Sequence, residues 1–263
     1  MLVLPWPYLT LLCAGYVLAL TYGQLTVLAG LAIILLILAG FAARQADYRQ
    51  VRYLGHALFV LLAFALAVHG WPGFYNAKMI DQARFTENAV PFSMNLNLDK
   101  PLIGFWLLLV CPWIVARQPL LPTLKACAAA LCLTASVTLG AAWMLGIIDW
   151  SPKWPDQAWL WINNNLLLVT VVEEALFRGY IQGGLTRCLE HRPYGEHLAL
   201  LIASLLFGLA HSGAGWEWVV LASLAGIGYG LAYRYGGLAA AIATHFGLNL
   251  LHFGLFTYPM LAG

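Results

Sequence analysis

Charge is what this chain has least of. Only 9% of its 263 residues are Asp, Glu, Lys or Arg, while 62% are hydrophobic; an ordinary soluble domain carries about 25% charged residues. So little charge cannot cover a water-facing surface, and an integral membrane protein is the class that remains. The net charge of +2 comes from 13 basic residues scattered through short loops. They form no basic patch, so the charge gives no sign of nucleic acid and no such partner is expected. Cysteine is equally poor in signal. The five (Cys13, Cys111, Cys127, Cys132 and Cys188) are odd in number and irregular in spacing, which fits neither a disulfide framework nor a zinc module. No internal repeat and no low-complexity segment is visible. No signal peptide is expected either. Leu9 to Leu20 could pass for its apolar core, but no Lys or Arg precedes it and residues 20–24 make a poor cleavage site. A retained first helix is expected.

What the chain does have is long apolar runs of the length that crosses a bilayer. Nine are expected as spans, at roughly 6–22, 24–43, 53–70, 101–116, 126–148, 159–186, 197–212, 216–235 and 237–257. The shortest, 101–116 and 197–212, are candidates for tilted or interfacial helices. The fold class is therefore all-α, a polytopic membrane helix bundle of about eight to nine transmembrane helices. The long polar connection 71–100 is either functional or disordered, since loops of that length usually are. Basic residues set the orientation. Arg44, Arg49, Arg52, Arg117, Lys125, Arg187, Arg192 and Arg234 follow spans two, four, six and eight, against Lys78, Arg84, Lys100 and Lys153 on the other side. This predicts a cytoplasmic N-terminus. The short loops and compact length suit a bacterial inner membrane. Two regions are expected: 1–158, spans one to five with the long loop and no readable motif, and 159–263, which carries all the chemistry.

That chemistry starts inside span six, where Glu173, Glu174 and Arg178 interrupt an apolar run. A charged side chain at the bilayer centre costs roughly 2.5–3.5 kcal/mol on insertion scales, so the three oppose insertion by on the order of 8–10 kcal/mol before pairing. Glu174 and Arg178 are four apart with the acid nearer the N-terminus, the favoured order for a helical pair. Glu173 is rotated about 100° away and is left to face something else. Alternatively, both glutamates stabilise Arg178 or line a wet cavity. Further on, Phe207-Gly208-Leu209-Ala210-His211 closes span seven, and His245-Phe246-Gly247-Leu248-Asn249 lies in the last span with His252 a turn later. Singly, such groups are better explained by helix–helix hydrogen bonds. Jointly they offer a carboxylate to take a proton from water and N–H groups to hold an oxyanion. Ser204, Ser212 and Ser223 show no acid–base pairing that would make a nucleophile.

Glu-Glu-x-x-x-Arg, then Phe-x-x-x-His, then His-x-x-x-Asn on successive spans resembles the CPBP family of intramembrane endopeptidases, which includes the type II CAAX prenyl endopeptidases and bacterial bacteriocin-processing relatives. The likeness covers about residues 163–256 with all three motifs in order. It implies that Glu173 is the general base, assisted by His211, that His245 and Asn249 form the oxyanion hole, and that Glu174 and Arg178 support them. His252 lies outside the motif and is read as structural. The resemblance implies a peptide hydrolase with no cofactor and no metal. Zinc is the alternative, because Glu and His can ligate it, although His-x-x-x-Asn is not a His-Glu-x-x-His motif. The implied partners are the lipid bilayer and a membrane-anchored protein or peptide, possibly with a C-terminal anchor. Competing functions are a proton- or cation-coupled transporter, disfavoured because no repeat is visible, and a catalytically silent immunity or chaperone protein. With the predicted orientation, Glu173, His211 and His245 can meet only in the middle to outer part of the bilayer. Asn163, Asn164 and Asn165 would then line a wet path from the non-cytoplasmic face.

Overall fold

The computed structural model describes residues 6–45, 47–116 and 118–262; Arg117, one of the residues used for orientation, lies outside them. The chain forms an all-α membrane bundle with one small β-hairpin. It divides into two compact units, residues 1–79 with 95–112, and residues 80–94 with 113–263.

The first unit contains α1 (Trp6–Thr21), α2 (Val27–Ala43), α3 (Arg49–Ala67) and α4 (Lys100–Val110). Small residues let its helices approach, as membrane packing requires. Ala29, Ala32, Ala39, Gly40 and Ala43 form the buried stripe of α2. Gly55 of α3 sits so close that a Cβ there would come within 2.7 Å of the Ala39 carbonyl. Trp106 of α4 stacks on Phe59 with centroids 3.8 Å apart and donates Nε1–H to the Leu36 carbonyl at 2.8 Å. Asp99 caps α4 by accepting from the Lys100 N–H at 2.9 Å, and also meets His69 Nδ1 at 2.5 Å. The expected span 101–116 is shorter than its apolar run. α4 ends at Val110, and Pro112–Val115 is a 3₁₀ turn, because proline cannot continue the ladder. Eleven residues rise about 16 Å, which is half a bilayer core.

The long connection is ordered. It contains β1 (Ala77–Ala83) and β2 (Phe92–Leu96), paired as a two-stranded sheet. Gln82 N–H and Nε2 both donate to Ser93 Oγ at 3.0 Å.

The second unit is built on α5 (Leu120–Met144), α6 (Ala158–Cys188), α7 (Gly195–Leu209) and α8 (Trp216–Leu255). α8 holds two of the expected spans. At Gly237 its backbone turns to φ 74°, ψ −170°, a region essentially reserved for glycine, and the two arms fold back on each other. Trp218 faces His252, Tyr229 lies on His245, and Ala232 packs with Ala240, the pairing of an antiparallel hairpin. Small residues again set the distances. A Cβ at Gly208 of α7 would meet the Val219 carbonyl at 2.5 Å, and one at Gly228 would collide with Thr134 of α5.

The unit has two distinct ends. At the turn end Thr123 Oγ1 donates to the Gly236 carbonyl at 3.2 Å, Arg234 pairs with Glu196 at 2.6 Å, and Arg187 lies over Trp113. At the open end Ile148, Ala142 and Leu221 cluster beside Phe256, and Trp161 stacks on Phe253 at 4.1 Å. Lys153 closes this end, its Nζ donating to the Phe256 carbonyl, and desolvation lowers its pKa to about 8.

Candidate active site

The two glutamates lie at the middle of α6, on a four-residue α-helical stretch (Val171–Glu174) between two π-helical ones, Asn164–Thr170 and Ala175–Gln182. π-Helical turns in an α-helix are rare and frequent at functional sites. The neighbours divide sharply in exposure. The Glu174 side chain is 0% exposed and that of Glu173 is 30% exposed.

Glu174 is the hub. Its Oε2 lies 3.2 Å from Arg178 Nε and its Oε1 accepts from His245 Nδ1 at 2.9 Å. Arg178 is fully buried, and among the described residues its Nε, Nη1 and Nη2 have no hydrogen-bond partner, the Glu174 contact being an ion pair. The guanidinium instead lies among Phe207, Tyr229 and Phe177, with its Cζ 4.9, 5.6 and 5.9 Å from the three ring centroids. Desolvated cation–π contacts are worth about 2 kcal/mol or more, which offsets part of the cost of a buried cation.

His245 is held on three sides. Glu174 takes its Nδ1–H, Tyr229 stacks on the ring at 4.4 Å and 14°, and Phe207 meets it edge-on at 5.5 Å. Its Nε2 faces Glu173 Oε2 at 4.0 Å, too far for a direct hydrogen bond. His211 Nδ1 bonds the Phe207 carbonyl at 2.8 Å, so Nδ1 carries a proton and Nε2 is left as an acceptor. Asn249 donates one Nδ2–H to Asn165 Oδ1 at 3.2 Å, and Thr170 Oγ1 in turn donates to the Asn165 carbonyl at 2.8 Å. The second Asn249 N–H is not used in that bond.

His211, His245 and Asn249 line one cavity of about 100 Å³, walled mainly by apolar side chains. Glu173 is not among its lining residues and reaches it by way of His245. Among the described residues, no group of three or more His, Cys, Asp or Glu side chains is placed to hold a metal ion.

Tyr229 was not singled out in the sequence, and Asn165 and His252 were given other places. Tyr229 carries no motif and is revealed only by the fold of α8. Asn165 was expected in a wet path but is buried against Asn249. Asn163 donates to the Trp159 carbonyl at 2.7 Å. His252, read as structural, lines the same cavity, and its place one turn beyond Asn249 was the available signal.

Residues 155–251, from just before α6 to the last turns of α8, match the family described as Type II CAAX prenyl endopeptidase Rce1-like. No curated protein and no solved structure matches the chain.

Proposed function

We propose that the protein is an intramembrane endopeptidase working by glutamate-activated water, a reading supported by the match of residues 155–251 to the type II CAAX prenyl endopeptidase Rce1-like family. Its substrate would be a membrane-anchored or lipid-attached protein. The observation that carries the mechanism is the file Arg178–Glu174–His245, with Glu173 4.0 Å beyond His245 Nε2. A partly exposed carboxylate beside an anchored imidazole, at the edge of a cavity inside the membrane, suits general-base work.

In this reading Glu173 takes a proton from water, and His211 Nε2 accepts a hydrogen bond from the same water. The water oxygen bonds to the scissile carbonyl carbon, and the carbonyl π-electrons move to oxygen. With a second proton on Nε2 beside the one that Nδ1 gives to Glu174, the His245 imidazolium and the free N–H of Asn249 hold that oxyanion, each donor worth about 2.7–4 kcal/mol. Collapse breaks the C–N bond, and Glu173 returns its proton to the leaving amine. Glu174 and Arg178 do not touch the reacting atoms; they fix His245. The proposed reaction needs no metal. Purified protein should contain well under one zinc per chain and keep its activity after dialysis against a strong chelator. Activity lost to chelation and restored by zinc would overturn that part.

The test of function compares the C-termini of membrane proteins by mass spectrometry in cells with the wild-type protein and with Glu173→Gln. At least one membrane protein should be shortened only in the wild type. An identical set of termini, with both proteins present in the membrane, would sink the proposal.

A further inference from the structure

His252 is the one imidazole in the cavity without a task in this mechanism. It shares a stripe of α8 with His245 and Asn249, three residues past the asparagine, and lines the same cavity. Trp218 and Tyr258 hold its ring, with centroids at 6.0 and 5.1 Å. The backbone carbonyls of Thr257 and Pro259 lie beside the ring, while among the described residues its Nε2 is buried with no hydrogen-bond partner. Since a neutral imidazole carries one N–H, a proton drawn to those carbonyls sits on Nδ1. Nε2 is then a lone pair in a cavity whose walls include the apolar side chains of Ile148, Leu221 and Leu248. A buried acceptor left unmatched is costly, and a peptide entering the same cavity brings N–H donors that need acceptors.

Resting on the proposed peptidase reading, we propose that His252 is a substrate-positioning residue whose Nε2 accepts a backbone N–H of the bound peptide. The register follows from geometry. Along α8 His252 lies about 4.5 Å beyond Asn249 and about 10.5 Å beyond His245, at 1.5 Å per residue. An extended peptide advances about 3.3 Å per residue, which places the contact one to three residues from the carbonyl held by His245 and Asn249. In an extended chain the N–H and C=O of one residue point to the same side, and that side recurs every second residue. The N–H that meets His252 therefore belongs to the residue two positions from the one whose carbonyl is attacked. The substrate class this implies is an extended, locally unwound segment, since a helical peptide uses its own N–H groups.

The probe is a synthetic peptide spanning the cleavage site found by the C-terminal comparison, with analogues in which one amide at a time is replaced by an ester. For the wild type, the ester two residues from the scissile carbonyl should raise KM about ten- to hundredfold, the scale of an unmatched buried polar group, with kcat changed little. His252→Phe should show the raised KM on the all-amide peptide and no further penalty from that ester. His252→Gln, which restores an acceptor, should recover part of the loss. An unchanged KM in folded His252→Phe, or an ester penalty that persists there, overturns the proposal. So does ¹⁵N-histidine NMR of the wild type if it finds the neutral ring's proton on Nε2. Loss of cleavage in Glu173→Gln with none of these His252 effects overturns this proposal alone, whereas cleavage that survives Glu173→Gln overturns the parent mechanism.

Discussion

Glu173 and Glu174 are adjacent in sequence and opposite in circumstance, so their substitutions should separate chemistry from folding. Glu173→Gln changes a partly exposed carboxylate that faces Nε2 of His245 across 4.0 Å. It should abolish cleavage and leave the amount of folded protein near the wild-type level. Glu174→Ala removes the anion between a fully buried arginine and a buried histidine. Breaking a buried pair from one side costs about 3–5 kcal/mol, so this variant should lose much of its folded population in detergent, read as a lowered Tm and early elution in size exclusion. A Glu174→Ala protein as stable as wild type would mean that the aromatic cage alone supports Arg178. Asn249→Ala should stay folded and lose roughly 10²-fold or more in rate if its free N–H holds the oxyanion. At this scale the sequence was legible where local spacing decides the contact, as for the four-residue step from Glu174 to Arg178. It was silent where the partner is remote. The Glu174–His245 bond spans 71 positions and the Asn249–Asn165 bond spans 84, and no periodicity within one helix encodes either.

Apolar length located most helices to within a few residues, because burying backbone polar groups in lipid leaves a helix as the ordinary solution. It failed where the run and the helix are not the same thing. The run 101–116 passes through Pro112, which stops α4 at half a membrane width. The β-hairpin in 71–100 was unreadable because its strands alternate only weakly; β1 has a single buried position, Ile80. The division of α8 into two arms was legible from the Arg234 to Gly237 segment, and its physical cause is the backbone at Gly237. An alanine there must adopt φ 74°, ψ −170°, and a Cβ would also press on the Gln118 side chain at 2.8 Å. Gly237→Ala should cost about 1–3 kcal/mol and lower Tm without altering the all-helical circular dichroism spectrum. Because Tyr229 and His245 stack only when the two arms close, the remaining folded protein should also show reduced cleavage. Full activity with a lowered Tm would show that the turn stabilises the fold without setting the site.

For the whole molecule, the functional question is which side of the bilayer the cavity serves. In the second unit the turn end gathers the basic residues. Lys125 lies near the start of α5, Arg187 at the end of α6, Arg192 before α7 and Arg234 at the turn of α8, whereas the open end has Arg84 and Lys153. The positive-inside rule predicts that the turn end faces the cytoplasm. The cavity is lined by residues of the open end, among them Ile148, Trp218, His211 and His252, so water and the peptide should enter from the non-cytoplasmic face. Two single-cysteine variants in a background without Cys13, Cys111, Cys127, Cys132 and Cys188 test this. Gly213 is exposed, and a Cβ there meets nothing within 4 Å, so a cysteine at 213 should fit without strain. It should react with a membrane-impermeant thiol reagent in intact cells. A cysteine at the exposed position 192 should react only after the membrane is opened. The reverse pattern would turn the unit over and place the cleavage site on the cytoplasmic side. The chemistry assigned to Glu173 would survive that result, but the proteins it could trim would be a different set, those whose anchors present an extended segment to the inner leaflet.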